Sequence, residues 1–298
     1  MAMKLMYITK DPAVAHIAEI AGVDRIFVDM EYIGKADRQG GMDTVQSHHT
    51  VEDVRRMRKN LTNAELLVRV NPIHEEGSYL GIPHVSSAEE IDAVIEAGAD
   101  IIMLPYFKTM AEVETFIRLV DGRAKTMPLV ETVEAAEMIT ELADMEGVDE
   151  IYIGLNDLSL EQKKKFMFQL LADGTVQDLC GKIQRNNEDL RRKSEDKKEK
   201  KYGFGGIAAP GMGLLPAEYI IREHRHLGSS CVILSRSFCN TEQITDLTEI
   251  ESIFQKGVKD IRRVEAEAEG FTEEDFIKNK QQVDQGVQKI LDVISKRM

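Results

Sequence analysis

The sequence predicts an α/β protein built as a closed (β/α)8 TIM barrel with an additional C-terminal helix. Three observations carry this. Short apolar, β-branched runs alternate with amphipathic stretches along most of the 298 residues, the pattern of parallel strands covered by helices. Eight such units follow one another, and eight at this length close into a barrel, whereas an open doubly wound sheet of six would leave two strands without a place. Hydrophobic residues make up 43% of the chain, enough for one large core. The expected boundaries are a barrel over residues 1–269 and a helical extension over 270–298.

The first strand, Leu5 to Thr9, leads into a helix from Asp11 to Gly22, and the second, Arg25 to Glu31, into a long connection and a helix from Thr50 to Leu61. Leu66 to Val70 precedes a helix from Ser87 to Gly98, and Ile101 to Pro105 precedes one from Met110 to Gly122. The next strands, Met127 to Glu131 and Ile151 to Gly154, feed helices from Glu134 to Gly147 and from Lys163 to about Arg192. Tyr202 to Ala208 then precedes Pro216 to Gly228, and Val232 to Ser237 precedes Asp246 to Glu269. Capping supports several starts: Thr50 with Asp53, and Ser87 with Glu90, have capping-box spacing. Gly22, Gly98 and Gly228 fall where a helix C-terminus needs a left-handed residue.

A net charge of −14, with no compact basic stretch, argues against nucleic acid and anionic membrane partners. No apolar run approaches the ~20 residues that span a bilayer, and the opening Met1 to Ile8 reads as a strand, not a leader, so a cytoplasmic protein is expected. Cys180, Cys231 and Cys239 form no CxxC pair and read as reduced packing residues. The mixed-charge run Arg185 to Lys201 reads as a solvated helix end and loop. The tail from Thr272 to Met298 carries Phe276, Ile277, Val283, Val287, Ile290, Leu291 and Ile294 near helical spacing. That apolar stripe is expected to pack on a neighbouring subunit of a homo-oligomer, the alternative being the chain's own barrel.

Glu131 and Asp157 stand just after two consecutive strands, so their carboxylates should emerge side by side at the strand C-terminal ends, where one divalent cation could bridge them. Ordinary strand-end polarity, with one acid as an N-cap, is the alternative. Asp29 and Glu31 end the second strand, and Arg69 ends the third. A guanidinium beside acidic groups and a cation suits a 2-keto acid, whose carboxylate takes a bidentate pair while its keto oxygen reaches the ion. The alternative is an internal ion pair in which Arg69 neutralises Asp29. Gly154 and Asn156 beside Asp157, and Arg236 at the eighth strand end, join Arg69 as candidate substrate contacts. Gly205 and Gly206 on the seventh strand, with Ser235 and Arg236 on the eighth, lie where many barrels bind phosphate, which keeps a phosphorylated substrate open.

Five segments resemble the HpcH/HpaI aldolase and citrate lyase family: Gly22 to Glu31, Val68 to Asn71, Ala97 to Pro105, Leu129 to Ala135 and Gly147 to Ser159. They occur in family order over roughly residues 20 to 160, and the last is the most specific. The resemblance implies a (β/α)8 barrel holding one Mg2+ or Mn2+ ion per subunit. It also implies reversible aldol cleavage that forms a keto acid such as pyruvate through a metal-bound enolate. Glu131 and Asp157 match the metal carboxylates, Arg69 the arginine on the pyruvyl group, and Asp29 and Glu31 the second-strand acids.

The match has a gap. Where the family's second-strand motif continues into a catalytic histidine, this chain has Tyr32. His48 and His49, at the end of the long connection after it, are the candidate bases, and Glu96 is the nearest counterpart of the family's assisting acid. A metal-dependent lyase acting on a small keto acid is therefore expected. The alternative is a phosphate-binding barrel enzyme, or a barrel that has lost its base and serves as a binding or assembly subunit.

Overall fold

The structure, a computed structural model, describes residues 2–39, 49–193 and 198–297. In chain order the strands are β1 (Lys4–Ile8), β2 (Arg25–Asp29), β3 (Glu65–Arg69), the short β4 (Gly77–Tyr79) and β5 (Ile82–His84), β6 (Ile101–Leu104), β7 (Lys125–Val130), β8 (Glu150–Ile153), β9 (Lys201–Ile207) and β10 (Cys231–Leu234). All but β4 and β5 form one closed parallel barrel in which chain neighbours are sheet neighbours and β10 returns to β1. The eight-stranded closure expected from the sequence is present.

The helices are α1 (Pro12–Ile20), α2 (Lys35–Gln39), α3 (Val51–Asn60), α4 (Ser87–Glu96), α5 (Met110–Val120), α6 (Val133–Glu137), α7 (Ile139–Asp144), α8 (Leu155–Glu161), α9 (Gln169–Ala172), α10 (Thr175–Lys193), α11 (Ala217–His226), α12 (Leu247–Glu269) and α13 (Glu273–Arg297). Thr50 and Asp53 form the expected capping box on α3. On α4 the box lies one residue earlier, on Ser86 and Glu89, because both serines have a glutamate three residues on and Glu90 is drawn inward. The single helix expected from Lys163 is instead α9 and α10, divided at Gly174 (φ 87°), and the unexpected α8 precedes it, ended before Lys163 (φ 55°). α6 and α7 likewise meet at Met138 inside one expected helix.

Two apolar layers hold the barrel. Most of the core lies between strands and helices, while a smaller cluster including Met6, Phe27, Met103, Leu129 and Tyr152 fills the interior. The N-terminal end is closed by charge: buried Arg25 donates to Glu150 at 2.7 and 2.6 Å and to Glu65 at 2.9 Å. Conservation of such an end would read as stability, which leaves the C-terminal end for chemistry. All three cysteines are free and buried, as expected. Among the described residues no helix is long and apolar enough to cross a membrane.

The tail is helical, as expected. α13 lies on α9 and α11 of its own chain, with Val283 and Val287 buried. Asn279 anchors it by donating to the Tyr219 carbonyl at 3.0 Å and to Glu223 at 2.7 Å. Val283 and Val287 of the apolar stripe are thus covered within the chain, whereas Ile277 and Val293 on the same helix stay half exposed.

Candidate active site

A cavity of about 610 Å³ opens at the C-terminal ends of the strands. Its wall takes Asp29 from the end of β2, Arg69 from β3, Glu131 from just after β7, and Gly154, Asn156 and Asp157 from the turn into α8. Lys35 and His49 line the β2 side, and Gly205, Gly206 and Arg236 the β9–β10 side.

The acids at the end of β2 sit in a cationic cage. Arg69 grips Asp29 through Nε and Nη2, both at 2.8 Å. Lys35 donates to Asp29 at 2.9 Å and stands 3.5 Å from Glu31, and Arg38 pairs with Glu31. Burial alone would push the Asp29 carboxyl up, yet Arg69 and Lys35 hold it well below the usual carboxylate range. The internal ion pair weighed as an alternative for Arg69 therefore exists. It leaves three of the five guanidinium N–H donors outside those two hydrogen bonds, since the contact with Glu31 is an ion pair at 3.3 Å and Glu31 Oε2 has no hydrogen-bond partner.

Glu131 and Asp157 do converge. Both are buried, and Gly154 makes the approach feasible: a Cβ there would stand 2.9 Å from Glu131 Cβ and 3.1 Å from Oε2. Burial pushes the Glu131 carboxyl well above the usual range, and the charges of Glu31 and Asp157 push it further, with Arg69 and Arg38 offsetting part. No group of three or more His, Cys, Asp or Glu able to hold a metal occurs among the described residues. Two hard carboxylates are a donor pair of the kind that suits a Mg2+-like ion keeping several waters.

The histidines divide. His48 lies outside the described residues. His49 is fixed by one bond: the Asp29 N–H donates to its Nδ1 at 3.0 Å. An amide donor needs an unprotonated nitrogen, and burial pushes the His49 imidazole down despite the nearby Asp29 charge. The neutral ring therefore carries its proton on Nε2 and offers a donor where a base was expected. Tyr32 is not among the cavity residues; its backbone N–H, with that of Ile33, donates to Asn71 Oδ1, both at 2.9 Å. Asn71 in turn donates to Glu90 at 2.7 Å. Glu90 is buried and Glu96 exposed, so Glu90 rather than Glu96 is the acid of α4 that meets Asn71.

On the far wall Asn156 is exposed to the cavity and donates to Asp157 at 3.3 Å. Arg236 is exposed and has no ion-pair partner among the described residues. Three residues absent from the sequence reading complete the site. Lys35 and Arg38 sit in the long connection, where only the four-residue spacing of Glu31 and Lys35 hints at pairing. Tyr106, after β6, donates its backbone N–H to Glu131 at 3.0 Å.

Comparisons with known proteins agree with this geometry. The family model described as HpcH/HpaI aldolase/citrate lyase matches residues 4–166. Among solved structures, an HpcH/HpaI aldolase from Desulfitobacterium hafniense DCB-2 superposes with a TM-score of 0.56 at 16% identity, covering 84% of this chain and 93% of that one. Citrate synthase SbnG superposes with a TM-score of 0.57 at 15% identity, covering 84% and 94%. A tryptophan synthase from M. tuberculosis gives 0.54 at 12% identity, covering 87% and 94%. At these identities the superpositions establish the fold. No curated protein sequence matches the chain.

Proposed function

The chain belongs to the HpcH/HpaI aldolase/citrate lyase family, and from that premise we propose that it is a divalent-metal-dependent carbon–carbon lyase that cleaves or forms a 2-keto acid such as pyruvate. The observation that carries this is the buried Glu131–Asp157 pair at the C-terminal ends of neighbouring strands, both lining the cavity beside Arg69 and Gly154. These two carboxylates would hold one Mg2+ or Mn2+ ion, which when bound supplies Lewis-acid stabilisation of charge developing on the keto oxygen.

This chain's own residues do the rest. Arg69, aimed by Asp29 and Glu31, turns its remaining N–H donors to the substrate carboxylate. In cleavage the bond between C3 and C4 breaks, its electron pair stays on C3, and the C4 hydroxyl loses its proton as the carbonyl forms. His49 Nε2–H can donate to that departing oxygen, and the base role falls to His48. Arg236 and Asn156, across the cavity, face the leaving aldehyde or acyl portion.

Calorimetric titration with Mn2+ tests the reading. The wild type should bind one ion per chain, and Glu131→Gln and Asp157→Asn should each weaken it at least tenfold. Equal affinity in all three proteins would overturn it.

A further inference from the structure

The turn after β6 carries a strained aromatic residue whose every polar contact leads to the proposed ion cradle. Tyr106 has φ 48°, a left-handed conformation disfavoured for a bulky L-residue. In that conformation its backbone N–H points at Glu131 Oε1, 3.0 Å away. The side chain holds the backbone there. Its ring lies under the Arg38 guanidinium, 3.9 Å from the centroid, with Lys108 Nζ at 5.2 Å. Its hydroxyl donates to Glu161 Oε1 at 2.9 Å. Burial and Glu161 both push that phenol up, so it remains a donor at neutral pH.

The hydroxyl's partner Glu161 and the ring's partner Arg38 both connect to the site. Glu161 closes α8, the helix that carries Asp157, and its other oxygen accepts the Val133 N–H at 2.8 Å, just beyond Glu131. Arg38 pairs with Glu31, the buried acid whose charge acts on Glu131. One residue therefore connects the β2 acids, the Glu131 carboxylate and the helix bearing Asp157.

We propose that Tyr106 is a positioning residue for the divalent-ion site: its side-chain anchors hold a disfavoured backbone conformation whose N–H aims the Glu131 carboxylate at Asp157. The inference rests on the proposed metal binding by Glu131 and Asp157. It differs from a mere packing role in one respect. If backbone conformation is what matters, glycine, which adopts positive φ without penalty, should replace tyrosine better than alanine does.

Mn2+ calorimetry on the full chain, with thermal melting as the control for folding, tests this on the wild type and on Tyr106→Phe, Tyr106→Gly and Tyr106→Ala. Outer contacts of metal ligands are typically worth 10- to 100-fold in affinity. Tyr106→Ala should lose about that much, Tyr106→Gly distinctly less than alanine, and Tyr106→Phe, which keeps the ring between its two cations, least of all. Alanine matching the wild type, or glycine binding no better than alanine, overturns the positioning role. If Glu131→Gln meanwhile still loses the ion, the metal reading survives that outcome. A wild type that binds no Mn2+ overturns both.

Discussion

The Asp29 N–H donates to Nδ1 of His49 at 3.0 Å, and this one bond sets what His49 can contribute. With its Nδ1 lone pair engaged and the ring neutral, His49 presents an N–H to the cavity. His49→Gln, whose amide also donates, should retain more activity than His49→Ala, by roughly tenfold if the donor acts in the transition state. His48→Gln should remove most activity with little change in KM. Comparable activity of the His48 variant and the wild type would exclude His48 as the base.

His224 makes stability depend on pH. The ring is buried, stacked on Phe204 at 3.8 Å, and its Nε2 has no partner. Burial lowers its pKa from 6.5 to about 3. The unfolded chain thus binds a proton that the folded chain refuses, so the stabilisation is present above about 6.5 and is lost as pH falls toward the folded value, at up to ~1.4 kcal/mol per unit. His49, lowered in the same direction, adds to the slope. Urea unfolding at pH 7 and pH 5 should show a large loss for the wild type and a smaller one for His224→Gln. Equal losses would refute this origin.

Arg69 serves two roles that substitution can separate. Arg69→Ala leaves Asp29 and Glu31 buried with less countercharge and should cost about 3–5 kcal/mol of stability. Arg69→Lys keeps the charge but not the planar fork, so most stability should return while keto-acid affinity stays low. A lysine variant that binds pyruvate like the wild type would exclude the bidentate contact.

Much of this was legible in the sequence. Strand and helix alternation, the Thr50–Asp53 cap and the convergence of Glu131 with Asp157 follow from local pattern and register. The residues that escaped do so for physical reasons. Lys35 and Arg38 lie in a connection with no apolar periodicity, so nothing in the local pattern shows that they fold back onto Asp29 and Glu31 at the end of β2. The β4–β5 hairpin turns on Leu80 and Gly81, with φ of 51° and 79°, and leucine carries none of the usual turn signal. Tyr106 is another positive-φ residue of a type that gives no warning. That Glu90 and not Glu96 faces inward is a distinction that spacing along α4 makes weakly.

Truncation after Gly270 should destabilise the barrel, because α13 buries Val283 and Val287 on α9 and α11. Each buried valine contributes on the order of 1.5–3 kcal/mol, so the melting temperature should fall by several degrees. An unchanged melting temperature, with loss of a larger assembly in light scattering, would instead show that the helix works between subunits.

The most direct measurement is deuterium incorporation into the methyl group of pyruvate in D2O, followed by proton NMR, which reports enolate formation without knowledge of the second substrate. With Mg2+ or Mn2+ the wild type should exchange the methyl protons well above the protein-free rate, and chelation or Glu131→Gln should return the rate to background. Exchange at the protein-free rate with either metal, or exchange indifferent to chelation and to Glu131→Gln, would contradict a metal-dependent keto-acid lyase.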